Sequence, residues 1–389
     1  MPDSSDFSLV LGGPLYQLYL RSGLARPPLD RLRRRVLVLT LLTWLPLFVL
    51  SLVEGQAIAG SRLPFLQDLE VHARFLLALP LLIVAEAVVH LRLAPAVGLF
   101  LEKGIVGNDQ RSRFDAIVAS TLRLRDSLPI ELLLLAIVFT GGHFLWQEQL
   151  AIRADTWYAS PAGEGWQLSL AGRFYAWLSL PVFQFILLRW YYRLLLWCRF
   201  LWCVSRLDLD LRPAHPDRAG GLGFLGISTL AFAPLLVGQT VLISAMIADR
   251  ILHWGAQLPA FKMELAGAFL FALLQALGPL IVFVPSLLAA KRRGLREYGL
   301  LGDRYVREFD RKWLHGGAAP DEAFVGSGDI QSFADLGNSY EAVRGMRAVP
   351  FGKETVIQLV VVTALPLLPL ALTMFPAEEL VRRVLGALF

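Results

Sequence analysis

Residues 75–94 read FLLALPLLIVAEAVVHLRLA. A bilayer core is crossed by about 20 helical residues, and this stretch has that length. A soluble core helix has no need of so long an apolar run, so these residues decide the fold class: a membrane span. The same run carries an ionisable group, Glu86, well inside it and His90 one helical turn later. Charged groups at such depth are costly unless they find a partner or a wet cavity.

Outward from this stretch, six further segments have a similar character: 36–53, 128–146, 174–195, 228–248, 265–290 and 355–375. The composition agrees, with 56% hydrophobic and 18% charged residues, against about 25% charged in soluble domains. The expected fold is all-α, a polytopic membrane bundle of about seven helices. Four regions are expected along the chain: a cytoplasmic N-terminal segment 1–35, a six-helix region 36–290, a cytoplasmic amphipathic helical connection 291–354, and a seventh span with a short amphipathic tail, 355–389.

Basic residues set the expected orientation. The N-terminal segment and the connections 92–127, 199–227 and 291–353 hold most of the 37 Lys and Arg residues. Alternate connections are poor in them. This places the N-terminus inside and the C-terminus outside, in an inner (plasma) membrane. The net charge of +5 is thereby explained by topology, and no nucleic-acid partner is expected. The N-terminus lacks the order of a cleavable signal, because its basic cluster Arg31, Arg33, Arg34 and Arg35 comes late and abuts the first span. Cys198 and Cys203 lie five apart on one expected helix, a poor disulfide geometry, and are read as free thiols.

Each span carries proline, at Pro46, Pro80, Pro129, Pro181, Pro234, Pro279 with Pro285, and Pro366 with Pro369. These are read as kinks shaping the bundle. The midspan glutamines Gln184, Gln239, Gln275 and Gln358 are read as interhelical hydrogen-bonding groups, and His143 as an interfacial residue.

Two places could carry chemistry. At a rise of about 1.5 Å per residue, Glu86, His90, Glu131 and Arg189 all fall within about 12 Å of the inner ends of their spans. They could form a cytoplasm-facing polar vestibule, a path for a substrate or ion. The structural alternative is an ion pair from Glu86 to Arg189, with Arg193 and His90 reaching for the interface. The second place is the loop 215–226, HPDRAGGLGFLG, whose Gly221, Gly223 and Gly226 spell G-x-G-x-x-G. A dinucleotide fingerprint needs a strand before it and an acid about 20 residues on. A membrane helix precedes it here, and the next acid, Asp249, lies across the fifth span, so nucleotide binding is not expected. His215, Asp217, Arg218, Gly221 and Gly223 are expected either to brace this loop or to bind a ligand at a helix N-terminus.

No P-loop, nucleophile elbow or zinc-protease motif is present, and neither a metal nor another cofactor is expected. Three classes of function remain open: a channel or transporter for a small solute, ion or proton; a non-transporting sensor or docking module that engages a cytoplasmic protein through 291–353; and an enzyme acting on lipid, with His215 and Asp217 as acid and base.

Overall fold

The computed structural model describes residues 7–26, 30–142, 155–162, 165–324 and 326–372. The expected tail helix over 376–389, residues 143–146 of the third expected span and His143 lie outside these. Among the described residues, six helices are long and apolar enough to cross a membrane: α2 (Leu32–Val53), α3 (Leu69–Glu102), α6 (Leu170–Val204), α7 (Phe224–Trp254), α8 (Leu258–Leu314) and α10 (Lys353–Ala371). The third expected span is represented by the shorter apolar helix α5, Leu128–Gly142. Three more helices stand outside this set: α1 (Pro14–Arg21), α4 (Arg111–Arg125) and α9 (Gly328–Arg344). A small hairpin pairs β1 (Ala159–Ala162) antiparallel with β2 (Gly165–Leu168).

The prolines mark changes of helical pitch. A π-helical turn at Ala73–Ala78 runs into Pro80, and another at Tyr175–Ser179 runs into Pro181. Tighter 3-10 turns accompany Pro234, Pro279 and Pro366. Proline cannot donate to the preceding turn, and a local change of pitch rehouses the freed carbonyls. Pro46 and Pro95 instead sit within regular helix. Between the helices, Gln239 on α7 and Gln275 on α8 exchange two hydrogen bonds, at 3.0 and 2.8 Å.

The connections sort into two groups, one at each end of the bundle. At the arginine-rich end, Val106 pairs with Leu209, Arg199 donates to Ser120, and Arg293 donates to the carbonyl of Leu211. At the other end, Leu63 pairs with Thr156, and Trp157 donates to Asp68 at 2.8 Å. There Glu54 accepts from the amide of Leu170, and Asp249 accepts from those of Leu69 and Glu70. Alternate connections therefore meet one another, as successive passes through one layer require. An aromatic cluster closes each end. Phe7, Phe100, Phe114 and Phe200 pack at the basic end, and Phe65, Trp157, Tyr158 and Tyr175 at the other.

At two elements the structure adds to the sequence reading. The first is the N-terminal segment. Its residues Phe7, Leu9, Val10, Tyr16, Tyr19 and Ala25 are buried in the main core, so this part of 1–35 is packed into the bundle. The second is the connection after the sixth span. Helix α8 continues without interruption to Leu314, and α9 folds back along it. Phe333 of α9 stacks on Tyr305 and Phe309 of α8, with centroids 5.9 and 5.3 Å apart. Near the tip, Asp329 accepts hydrogen bonds from Lys312 and Trp313. The result is an antiparallel helical hairpin at the basic end.

Candidate functional site: a buried arginine–carboxylate cluster and a carboxylate-centred loop

Glu86 projects from α3 into the protein and is 7% exposed. Its Oε1 accepts from Arg193 Nη2 of α6 at 2.8 Å, and its Oε2 lies 2.9 Å from Arg35 Nη2 of α2. Arg189, one turn before Arg193, takes a different carboxylate: its Nε lies 3.0 Å from Glu131 Oε1 of α5. The other oxygen of Glu131 accepts from the backbone N–H of Leu15 at 2.9 Å. The expected Glu86–Arg189 pair is therefore corrected. Arg189 and Arg193 share a face but stand about 6 Å apart along the helix axis, and the two carboxylates meet them one at each level. Arg193 is also corrected. It does not reach for the interface; it is 3% exposed, with its guanidinium over the Trp190 ring at 4.8 Å.

Arg35 is the member that sequence reasoning misses. Its basic neighbours group it with the membrane surface, yet it is 1% exposed. A signal is present in α2, whose buried residues Arg35, Leu39, Thr43, Leu47 and Ser51 recur every fourth position. Successive members of that stripe share a face, and Arg35 begins it.

The N-terminal segment covers this cluster. Gly13 lies beside it, since a side-chain Cβ there would stand 3.2 Å from Glu131 Oε1 and 3.4 Å from Arg189 Nη2. Tyr19 sits under Arg35, with 5.2 Å from guanidinium to ring centroid. Ser8 takes His90, Oγ to Nδ1 at 3.0 Å, and its carbonyl accepts from Arg125 at 2.7 Å. His90 thus anchors the N-terminal segment beside the cluster. Of the four residues expected around a vestibule, Glu86, Glu131 and Arg189 hold ion pairs and His90 holds Ser8.

The loop 215–226 is organised by Asp217. Its Oδ1 accepts from the amides of Ala219 at 2.8 Å and Gly221 at 3.1 Å, and its Oδ2 from Gly223 at 2.8 Å. His215 Nδ1 lies 2.9 Å from Oδ1. Burial alone would raise the pKa of this carboxyl; the three amide donors and His215 outweigh burial and hold it below its ordinary value. Converging backbone N–H groups of this kind form an anion cradle, and the cradle is filled by the chain's own side chain. Arg218 adopts a left-handed backbone, φ 53°. Its carbonyl accepts from the Arg347 amide, while the Arg347 guanidinium donates to the Asp217 carbonyl, both at 2.7 Å. Gly226 is needed for a separate reason, because a Cβ there would lie 2.8 Å from the Pro350 carbonyl. The glycines of G-x-G-x-x-G serve a closed turn and a close backbone approach. His215 and Asp217 are engaged with each other and with this turn.

Among the described residues, no three of His, Cys, Asp and Glu gather as a metal-ligand set. Cys198 and Cys203 are free thiols. Comparison of the chain with family models, with curated proteins and with solved structures finds no match.

Proposed function

We propose that this multi-pass membrane protein is a docking module that holds its α8–α9 hairpin out on the cytoplasmic side for an amphipathic helix of a partner protein. The observation that carries this reading is a groove of about 500 Å³ along the hairpin. Gly299, Gly302 and Gly337 line it, with Val306, Phe333 and Tyr340 as its apolar walls. A side chain at Gly302 or Gly337 would meet no other atom within 4 Å, so bare backbone is open to a ridge of a partner helix. Phe333 is 42% and Ile330 41% exposed, and aromatic anchors that a partner buries carry much of the energy in protein interfaces. The basic residues of α8 favour the cytoplasmic face of an inner membrane for the hairpin.

Filling the groove tests this. A photo-crosslinker at Tyr340 in cells is expected to capture one cytoplasmic protein as a single adduct. Gly302→Trp is expected to weaken that adduct at least about tenfold, the effect of about 1.4 kcal/mol, with yield and melting unchanged. An adduct of unchanged intensity in the filled variant, or none in the wild type, overturns the proposal.

A transport path past Glu86 is the second reading, favoured by the placement of Glu86 and Arg193 within apolar helices. It requires the N-terminal segment to leave the cluster. Sealed liposomes tested with protons, alkali cations and halides separate the two readings. The docking module produces no flux, and flux abolished by Glu86→Gln in a folded protein would establish the path instead.

A further inference from the structure

Among the described residues the buried cluster does not balance its charge. Three guanidiniums, from Arg35, Arg189 and Arg193, face two carboxylates, Glu86 and Glu131, and all five residues are at most 7% exposed. Arginine stays protonated in proteins, and carboxylates in contact with guanidiniums stay ionised. The phenols nearby do not make up the difference. Tyr19 is pushed up to about 12 by burial, with Glu86 adding to the effect, and burial also raises Tyr16. Asp126, the next acid after α4, is taken by Arg125 and has a side chain 46% exposed. Among the described residues the sum is one uncompensated positive charge inside apolar helices, a costly state.

The excess localises at Arg35. Its Nε is buried and finds no acceptor among the described residues. Its Nη2 lies 2.9 Å from Glu86 Oε2 but is not aligned as a hydrogen bond. Arg193, by contrast, donates to Glu86 at 2.8 Å, while Arg189 shares Glu131 with the Leu15 amide through an ion pair of 3.0 Å that, like that of Arg35, is not aligned as a hydrogen bond. A guanidinium that is 1% exposed with unused donors needs an acceptor, and the excess positive charge around it favours an anionic one.

We propose that this cluster is a binding site for one small monovalent inorganic anion, of the chloride class, held by Arg35 and enclosed by the N-terminal segment. The burial of Arg35 and Glu86 shields the position from bulk water, and a lipid headgroup has no exposed approach to it. The ion is structural: it neutralises the cluster and locks α2, α3 and α6 together under α1. This assignment does not depend on what docks on the hairpin.

The full-length protein, purified in detergent without chloride, is the material for the test. Radiolabelled chloride in equilibrium dialysis is expected to give one bound ion per chain. Chloride or bromide is expected to raise the unfolding midpoint saturably, while gluconate at equal ionic strength does not. Chloride at about 100 times its dissociation constant raises the folded-to-unfolded ratio about 100-fold. Arg35→Gln removes the excess charge and is expected to retain no chloride and to melt identically in both salts. No ion bound to the wild type, or equal melting in chloride and gluconate, overturns the site. Should Arg35→Gln fail to fold, the count on the wild type decides alone.

Discussion

Glu86→Gln is expected to destabilise the protein by about 3–5 kcal/mol, the cost of stripping a buried ion pair of one partner. The substitution conserves shape and removes the charge facing both Arg193 and Arg35. Two guanidiniums then remain buried against a neutral amide, and neither has an exposed route to water. A loss of this size is a large part of the about 5–15 kcal/mol that stabilises an ordinary domain, so poor accumulation in the membrane is the expected phenotype. Thermal unfolding in detergent measures the effect. Combining Glu86→Gln with Arg193→Met is expected to cost less than the sum of the two, by about 0.5–3 kcal/mol, because the second change removes one of the stranded charges. A Glu86→Gln protein that melts like the wild type would mean that the pairs are dispensable, and the vestibule reading would regain its force.

Asp217→Ala is expected to cost about 3 kcal/mol or more and to loosen the 215–226 loop. Three backbone N–H groups lose one shared acceptor, and hydrogen bonds to a charged group are worth about 1.5–3 kcal/mol each before non-additivity. Hydrogen exchange at Ala219, Gly221 and Gly223 should rise well before global unfolding. The pH dependence has a definite sign. The folded-state value of Asp217 lies below its ordinary 3.8, so its contribution is complete above that pH and is lost as pH falls through the lower, folded value. The wild type should therefore lose this part of its stability only below about pH 3.8, and Asp217→Asn should lack that dependence. Unfolding midpoints compared between about pH 3 and pH 7 decide it; parallel curves for the two proteins would refute the assignment.

The two sites differ in how legible they are. At the loop, failure of the dinucleotide context is visible in the sequence, because the flanking elements are membrane helices. Asp217 as the organiser is a harder inference, since a short Asp-x-Ala-x-Gly-x-Gly run does not show which amides converge on the carboxylate. At the cluster, the periodicity of α3 and α6 places Glu86, Arg189 and Arg193 inside helices but leaves the pairing open. Any carboxylate at a similar depth is a candidate partner until the rotation of each helix about its axis is known. Arg35 is hidden by its neighbours. Three basic residues next to it read as a surface cluster, and only the stripe of five buried residues along α2 marks it as inward facing.

The sequence by itself determined the class: apolar runs of bilayer length, separated by connections that alternate in basic content. The bilayer supplies the reason, since it leaves runs of this length no way to satisfy their backbone except as helix. Tertiary structure alone decided which arginine neutralises which carboxylate, that residues 7–25 fill the basic end of the bundle, and that α9 returns along α8. Those outcomes are contacts between residues far apart in the chain, as with Leu15 and Glu131 or Arg35 and Glu86. They depend on how the helices are turned against one another, which no local pattern encodes.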